Sequence, residues 1–197
     1  MARITLSTLD DEVLDKVMRL FWQRGFFNTS IEDIAAETGL NRAALYKHFQ
    51  GKEGLFLAML KRYERNITHH AITPLLKHQD GFKAIKDFFS QFSDLHKHSE
   101  TAFGCFLIAT ASDLHFHQPN ITKYIHQFYT KLHRLFGKIL KQILKEDSVM
   151  LSDTLADFLV GNVAGIMTLF RSRAPKKMIC NQVNSILQFI SSVTAHR

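Results

Sequence analysis

Proline is scarce in this chain, three in 197 residues, and glycine is limited to nine. So few chain breakers favour a mostly helical protein. The only two cysteines, Cys105 and Cys180, do not make a disulfide framework. No uninterrupted apolar run reaches the roughly 18 residues that a membrane span requires. The N-terminus carries Asp10, Asp11, Glu12 and Asp15, which is too acidic for a signal peptide. Catalytic signatures are missing as well. There is no Gly-x-Ser-x-Gly elbow, no His-Glu-x-x-His, no phosphate-cradling Gly-rich loop and no evident acid/base pair. The expectation is a soluble cytoplasmic protein that is not an enzyme, with no cofactor, no metal and no membrane partner.

Hydrophobic residues make up 46% of the chain and charged ones 22%, enough apolar material for a real core and an ordinary globular surface. The net charge is +7. It is unevenly spread, about +1 over residues 1–66 and +6 over the remainder. The basic excess therefore does not mark a nucleic-acid site by itself, and in the C-terminal part it reads as a solvated surface.

The most informative stretch runs from Gly25 to Phe49. Thr29 and Glu32 read as a T-x-x-E capping box that opens a helix. Ile31, Ile34 and Ala35 give that helix an apolar face, and Gly39 ends it where positive φ is needed. Asn41 then caps a second helix held inward by Leu45 and Phe49. Two short helices around a Gly-containing turn are the parts of a helix-turn-helix, whose second helix enters the DNA major groove. Arg42, Ala43, Tyr46, Lys47 and His48 fall on the outward side. Arg42 near the helix start can reach base edges, while Tyr46, Lys47, His48 and Lys52 suit phosphate oxygens.

The string G-F-x-x-T-S-I-E-D-I-A-x-x-T-G-L-x-x-x-x-L-Y-K-H-F-x-x-K-E-x-L-F, within residues 9–60, resembles the DNA-binding signature of TetR/AcrR-type transcriptional regulators. Ala43 and Ala44 depart from it, being small where many members carry polar residues, which leaves fewer side chains to read bases. The resemblance implies a ligand-responsive regulator, commonly a repressor released from a palindromic operator by a small effector. The DNA contacts it implies are Thr29, Asn41, Arg42, Ala43, Tyr46, Lys47, His48 and Lys52.

Periodicity outlines the rest of the chain. A first helix runs from about Thr8 to Arg24 on Leu9, Val13, Val17, Leu20 and Phe21, after an arm containing Arg3. A long helix opens at Gly51, Lys52 and Glu53, where free amides make a phosphate site, and continues to about His70. Apolar helices follow at about Gly81–His98, Gly104–Leu114, Pro119–Lys145, Leu151–Arg171 and Pro175–Ala195. The fold class is all-α with about nine helices: an N-terminal three-helix head with the helix-turn-helix and a larger C-terminal bundle. The corresponding domains are 1–52 for DNA binding and 53–197 for ligand binding and dimerisation.

In the proteins this chain resembles, the C-terminal half binds a small molecule and the last two helices pair with a second copy. Gly161, Ala164 and Gly165 line one helix face, where they either admit that partner or accommodate neighbours in the same chain. Twelve of the seventeen phenylalanines follow residue 66. An apolar or aromatic effector is therefore expected among Phe103, Cys105, Phe106, Thr110, Tyr124, Phe128, Phe158, Met167 and Phe170, each of which also fits plain core. Cys105 begins a helix near His96 and His98, a setting that can lower a thiol pKa and make a sensor, against the reading of a small buried hydrophobe. His69-His70 and His96-x-His98 are poorly spaced for chelation on a helix, while His115-x-His117 before Pro119 chelates only if extended, with Asp113 near, against the reading of a solvated loop. An architectural DNA binder with the same head and no pocket is the competing class.

Overall fold

The computed structural model describes residues 10–77, 80–94, 103–113, 118–144 and 149–195, which are helical with no strand among them. Arg3, Leu9, His96, His98, His115 and His117 lie outside the described residues.

Three short helices form the head: α1 (Asp11–Arg24), α2 (Ile31–Thr38) and α3 (Arg42–Phe49). Asp10 caps α1, accepting from the Glu12 amide, so the helix begins three residues later than its apolar repeat suggests. Val17, Leu20, Phe21, Ile31, Ile34 and Leu45 are buried together, as their 3.6-residue spacing requires. Gly39 has φ 70° and donates its amide to Ala35, which lets α2 stop and the chain turn sharply into α3.

The next helix, α4 (Lys52–Tyr63), does not continue regularly to His70. A π-helical turn, Glu64–Thr68, joins it to the short α5 (His69–Ala71). Extra residues in a helical turn are not visible in an apolar repeat, and π-turns are concentrated at functional sites. This rod packs on α1 and α3 at one end and reaches α8 and α9 further on. A small helix around Pro74, α6 (Thr73–Lys77), was also not expected.

The body holds α7 (Gly81–Asp94), α8 (Phe106–Ala111), α9 (Pro119–Leu144), α10 (Val149–Arg171) and α11 (Lys176–Ala195). With α4, its π-turn and α5 counted as one rod, the described residues form ten separate helices, against about nine expected. Phe88, Phe89, Phe92 and Phe136 cluster between α7 and α9. A chain of edge-on ring contacts runs from the head into this body. Phe21 and Phe26 meet Phe56 of α4 at 4.9 and 5.2 Å, and Phe56 meets Phe106 of α8 at 5.3 Å.

By length and composition, one helix (Met150–Arg171) is apolar enough to cross a membrane, although its polar residues interrupt every continuous run. Only 39% of that stretch is buried within the chain. Leu155, Leu159, Val163, Ile166 and Phe170 face the core, while Met150 and Phe158 stand exposed.

Candidate nucleic-acid interface and effector cavity

The helix-turn-helix is capped one residue later than the T-x-x-E pattern suggests. Ser30, not Thr29, is the cap of α2: its hydroxyl oxygen accepts the Asp33 amide at 2.9 Å, and Asp33 accepts the Ser30 amide at 2.8 Å. The Ser30 hydroxyl, which also donates to the Asp33 carboxylate at 2.6 Å, and after it the Ser30 amide hold the Asp33 carboxyl below its ordinary value. Thr29 is buried, and its hydroxyl donates to the Gly25 carbonyl at 2.8 Å. It is therefore a brace at the end of α1 rather than an available DNA contact. Glu32 is released from capping and accepts Arg42 at 3.0 Å.

Asn41 caps α3 as expected, its side-chain oxygen accepting the amides of Ala43 and Ala44 at 2.9 and 3.3 Å. Leu45 is buried beneath the helix and Phe49 is half-buried. Arg42, Ala43, Tyr46, Lys47 and His48 are all exposed, around the outward side of a helix fixed from below. Tyr46 is an exposed large aromatic at 52%. His48 rests edge-on against Phe49 at 4.5 Å. Lys52 lies 4.3 Å from the centre of the Phe26 ring, and partial burial lowers its pKa despite the opposing charge of Asp33.

Gly54 was not singled out in the sequence, and yet it sets how close α3 sits to α4. A Cβ there would lie 1.8 Å from the carbonyl oxygen of Phe49. Arg62 provides a second tie. It is buried in α4, and its guanidinium donates to Asp15 at 2.7 Å and to Asp11 at 2.8 Å, joining α4 to α1. A buried cation could not be assigned partners from spacing alone.

Two cavities meet behind the head. One is an open cleft of about 380 Å³ between the end of α1 and helices α8 and α10, with Arg24, Asn28, Asp113 and Arg171 on its walls. Arg171 bridges it, donating to the carbonyls of Trp22 and Phe103 at 3.1 and 3.2 Å. The other lies in the body and is smaller, about 110 Å³, with apolar walls that include Tyr63, Ile72, Phe88 and Phe92.

Of the residues expected to hold an effector, Cys105 and Met167 line both cavities, Phe106 and Thr110 line the larger, and Phe128 lines the smaller. Phe103 instead packs on Trp22, its ring 5.9 Å away, and Phe170 is buried in the core. Tyr124 points elsewhere, donating its hydroxyl to Glu64. Phe158 is 38% exposed on the outside of α10, beside Phe189 of α11 at 5.0 Å. The aromatic count gave no means of separating these four from true cavity wall.

The low-pKa premise for Cys105 does not hold. The thiol is buried, and burial pushes its pKa up; the amides of Ile108 and Leu107 and the Tyr63 hydroxyl oppose that only in part. Among the described residues no cluster of His, Cys, Asp and Glu could hold a metal ion.

The sequence profile described as "Bacterial regulatory proteins, tetR family" matches residues 13–59, the head and the start of α4. The HTH-type transcriptional repressor ComR of Escherichia coli (strain K12) is 36% identical over 105 residues, 53% of this chain and 50% of that protein. The HTH-type transcriptional regulator AcrR of Shigella flexneri is 42% identical over 55 residues, 28% of this chain and 26% of that one. The chain thus spans about half the length of ComR and about a quarter of AcrR in these alignments. Similarity of fold extends much further. A cysteine mutant of the TetR family regulator CifR, solved with 26 bp operator DNA, superposes with a TM-score of 0.79 at 20% identity, covering 91% of this chain and 95% of that one. A TetR transcriptional regulator from Chloroflexus aurantiacus gives 0.77 at 20% identity, covering 92% and 93%. Residues 13–59 thus match the TetR-family profile, and the described helices share the fold of solved TetR-family regulators.

Proposed function

We propose that this chain is a ligand-responsive transcriptional regulator of the cytoplasm, a repressor released from a palindromic operator by a small effector. The observation that carries this reading is the set Arg42, Ala43, Tyr46, Lys47 and His48, exposed on a helix whose underside is packed and whose start is capped. Arg42 reads a base edge after exchanging Glu32 for DNA, and Tyr46, Lys47, His48 and Lys52 hold phosphates. Residues 1–52 act as the reading unit and 53–197 as the sensing and pairing unit, with the α4 rod linking them. The operator-bound CifR complex supports the same use of the head here.

Two reading heads must meet half-sites about 34–36 Å apart, which calls for a symmetric dimer. The uncovered faces of α10 and α11 suit that role. Gly161 and Gly165 have nothing within 4 Å of the position a Cβ would take, so no neighbour among the described residues explains them. Phe158 and Phe189 stand exposed beside them, and Asn162 and Gln182 bond across the two helices at 2.6 Å. An effector shifts the heads apart only by binding the non-operator spacing more tightly. A coupling of about 1–3 kcal/mol changes DNA affinity some 5- to 150-fold.

The test is selection of bound sequences from a random DNA library at near-physiological salt, repeated with Arg42→Ala and Tyr46→Phe. A two-fold symmetric motif weakened by both substitutions is the expected result. Salt-sensitive binding with no motif would replace this reading with that of an architectural DNA binder.

A further inference from the structure

The open cleft behind the head is bounded on one side by the end of α1 and the turn after it, and on the other by α8 and the last turn of α10. Arg171, at the end of α10, reaches across it. Its Nη1 donates to the carbonyls of Trp22 and Phe103 at 3.1 and 3.2 Å, which takes both hydrogens of that nitrogen. The Nε–Nη2 edge of the same guanidinium meets no acceptor among the described residues. Arg24 follows two residues after Trp22, in the last turn of α1, and lines the same cleft. It forms no ion pair among the described residues. Both arginines are exposed, so a molecule entering the cleft from water meets them directly.

We infer that this cleft is an effector site for a small aromatic carboxylate, held by Arg24 from the head and by Arg171 from the body. Each part of that description follows from the walls. Among the described charged residues that line the cleft, the two arginines face a single carboxylate, Asp113, so the excess charge is positive and favours an anion. A guanidinium edge pairs with both oxygens of a carboxylate through parallel hydrogen bonds. The hydroxyls on the walls do not compete: Thr110, Ser112 and Thr168 donate to carbonyls of their own helices at 2.9, 3.1 and 2.9 Å. Phe27 adds an apolar wall, 51% exposed, in a turn that Asn28 ties to the Arg24 carbonyl at 3.2 Å. An exposed ring there gives a flat ligand a partner to pack on. The volume of about 380 Å³ is within the range of small-molecule sites and leaves ample room for one ring and its carboxylate.

The position of the two arginines adds a route for the signal. Arg24 belongs to α1 of the head, and Arg171 ends α10, whose outer face is proposed to pair with a second copy. A carboxylate held between them adds a bond between the head and the pairing helix, and so favours one placement of the head over another. This inference rests on the reading that an effector controls the chain, but it concerns binding, and its test involves no DNA.

The experiment is equilibrium dialysis of the full chain against cinnamate, and separately against cinnamamide, which keeps the ring and lacks the charge, and acetate, which keeps the charge and lacks the ring. Cinnamate is expected to bind saturably, one per chain, and the other two at least about tenfold more weakly, the span of a charge-assisted hydrogen bond or of a buried ring. Arg24→Gln and Arg171→Gln are each expected to weaken cinnamate about tenfold or more. Arg24 is exposed and bonds to no other charged side chain, so Arg24→Gln decides the matter even where Arg171→Gln loosens the head. The absence of saturable cinnamate binding would overturn the assignment. So would cinnamamide or acetate bound as tightly as cinnamate, or an affinity for cinnamate unchanged in Arg24→Gln. In each case sequence selection on DNA would still decide the regulator reading independently.

Discussion

At Gly54 a single hydrogen atom separates a working head from a displaced one. The Phe49 carbonyl occupies the space a methyl group would need, and it is backbone, which cannot swing aside. Gly54→Ala is therefore expected to cost about 1–3 kcal/mol by overpacking and to push α3 off α4. Denaturant midpoints would measure the cost, and loss of binding to a selected operator would report the displaced α3. An unchanged midpoint would mean that α3 and α4 separate without loss. Cys105 allows the opposite kind of test, where burial protects. Its thiol is raised in pKa and enclosed, whereas Cys180 on α11 is half-buried. Alkylation of the native protein at neutral pH is expected to label Cys180 well before Cys105. Rapid labelling of Cys105 would revive the sensor role.

The π-turn is the element on which charge and shape converge. Glu64 begins it and accepts the Tyr124 hydroxyl and the Lys131 ammonium, the latter at 2.6 Å, so the rod is tied to α9 at that point. Burial opposes the carboxylate, and the two hydrogen bonds outweigh burial, holding Glu64 below its ordinary value. A carboxylate lowered in the folded state contributes stability above the unfolded value of 4.5, and that contribution is lost as pH falls through the lower folded value. Glu64→Gln should therefore lower stability at neutral pH and flatten the acid limb below about pH 4.5, which thermal melts between pH 3 and 7 would resolve. An acid limb identical to that of the parent would place the proton uptake elsewhere. The sequence foretold the elements better than the joints. Helices α1, α2 and α3 were legible because Gly25, Gly39 and Asn41 are strong local signals and the apolar repeats are clean. The cap slipped from Thr29 to Ser30 because two adjacent hydroxyl residues compete for it, and only packing decides which turns inward. The π-turn left no trace because a one-residue slip of register is smaller than the tolerance of an apolar repeat. Phe158 and Phe128 look alike in sequence, yet one is on the outer surface and the other lines a cavity.

For the molecule as a whole, the open question of structure is what covers α10 and α11. Helix α10 puts Leu155, Leu159, Val163, Ile166 and Phe170 into the chain's own core and leaves Met150 and Phe158 exposed to water. Exposed Phe158 and Phe189 lie 5.0 Å apart, and the two glycines nearby keep the surface flat enough for another helix to approach closely. A second copy placed on this face by a two-fold axis would bury both aromatic pairs at the centre, where interface energy concentrates. Phe158→Glu and Gly161→Arg each put charge or bulk at that centre without touching the chain's own core. Both variants are expected to sediment as monomers at concentrations where the parent is a dimer, and to lose the two-fold motif while keeping weak, salt-sensitive binding to DNA. The two readouts should move together, since a monomer presents one head and one head cannot measure half-site spacing. Should the variants remain dimeric, pairing must use another face, and the spacing of the heads would have to be set there.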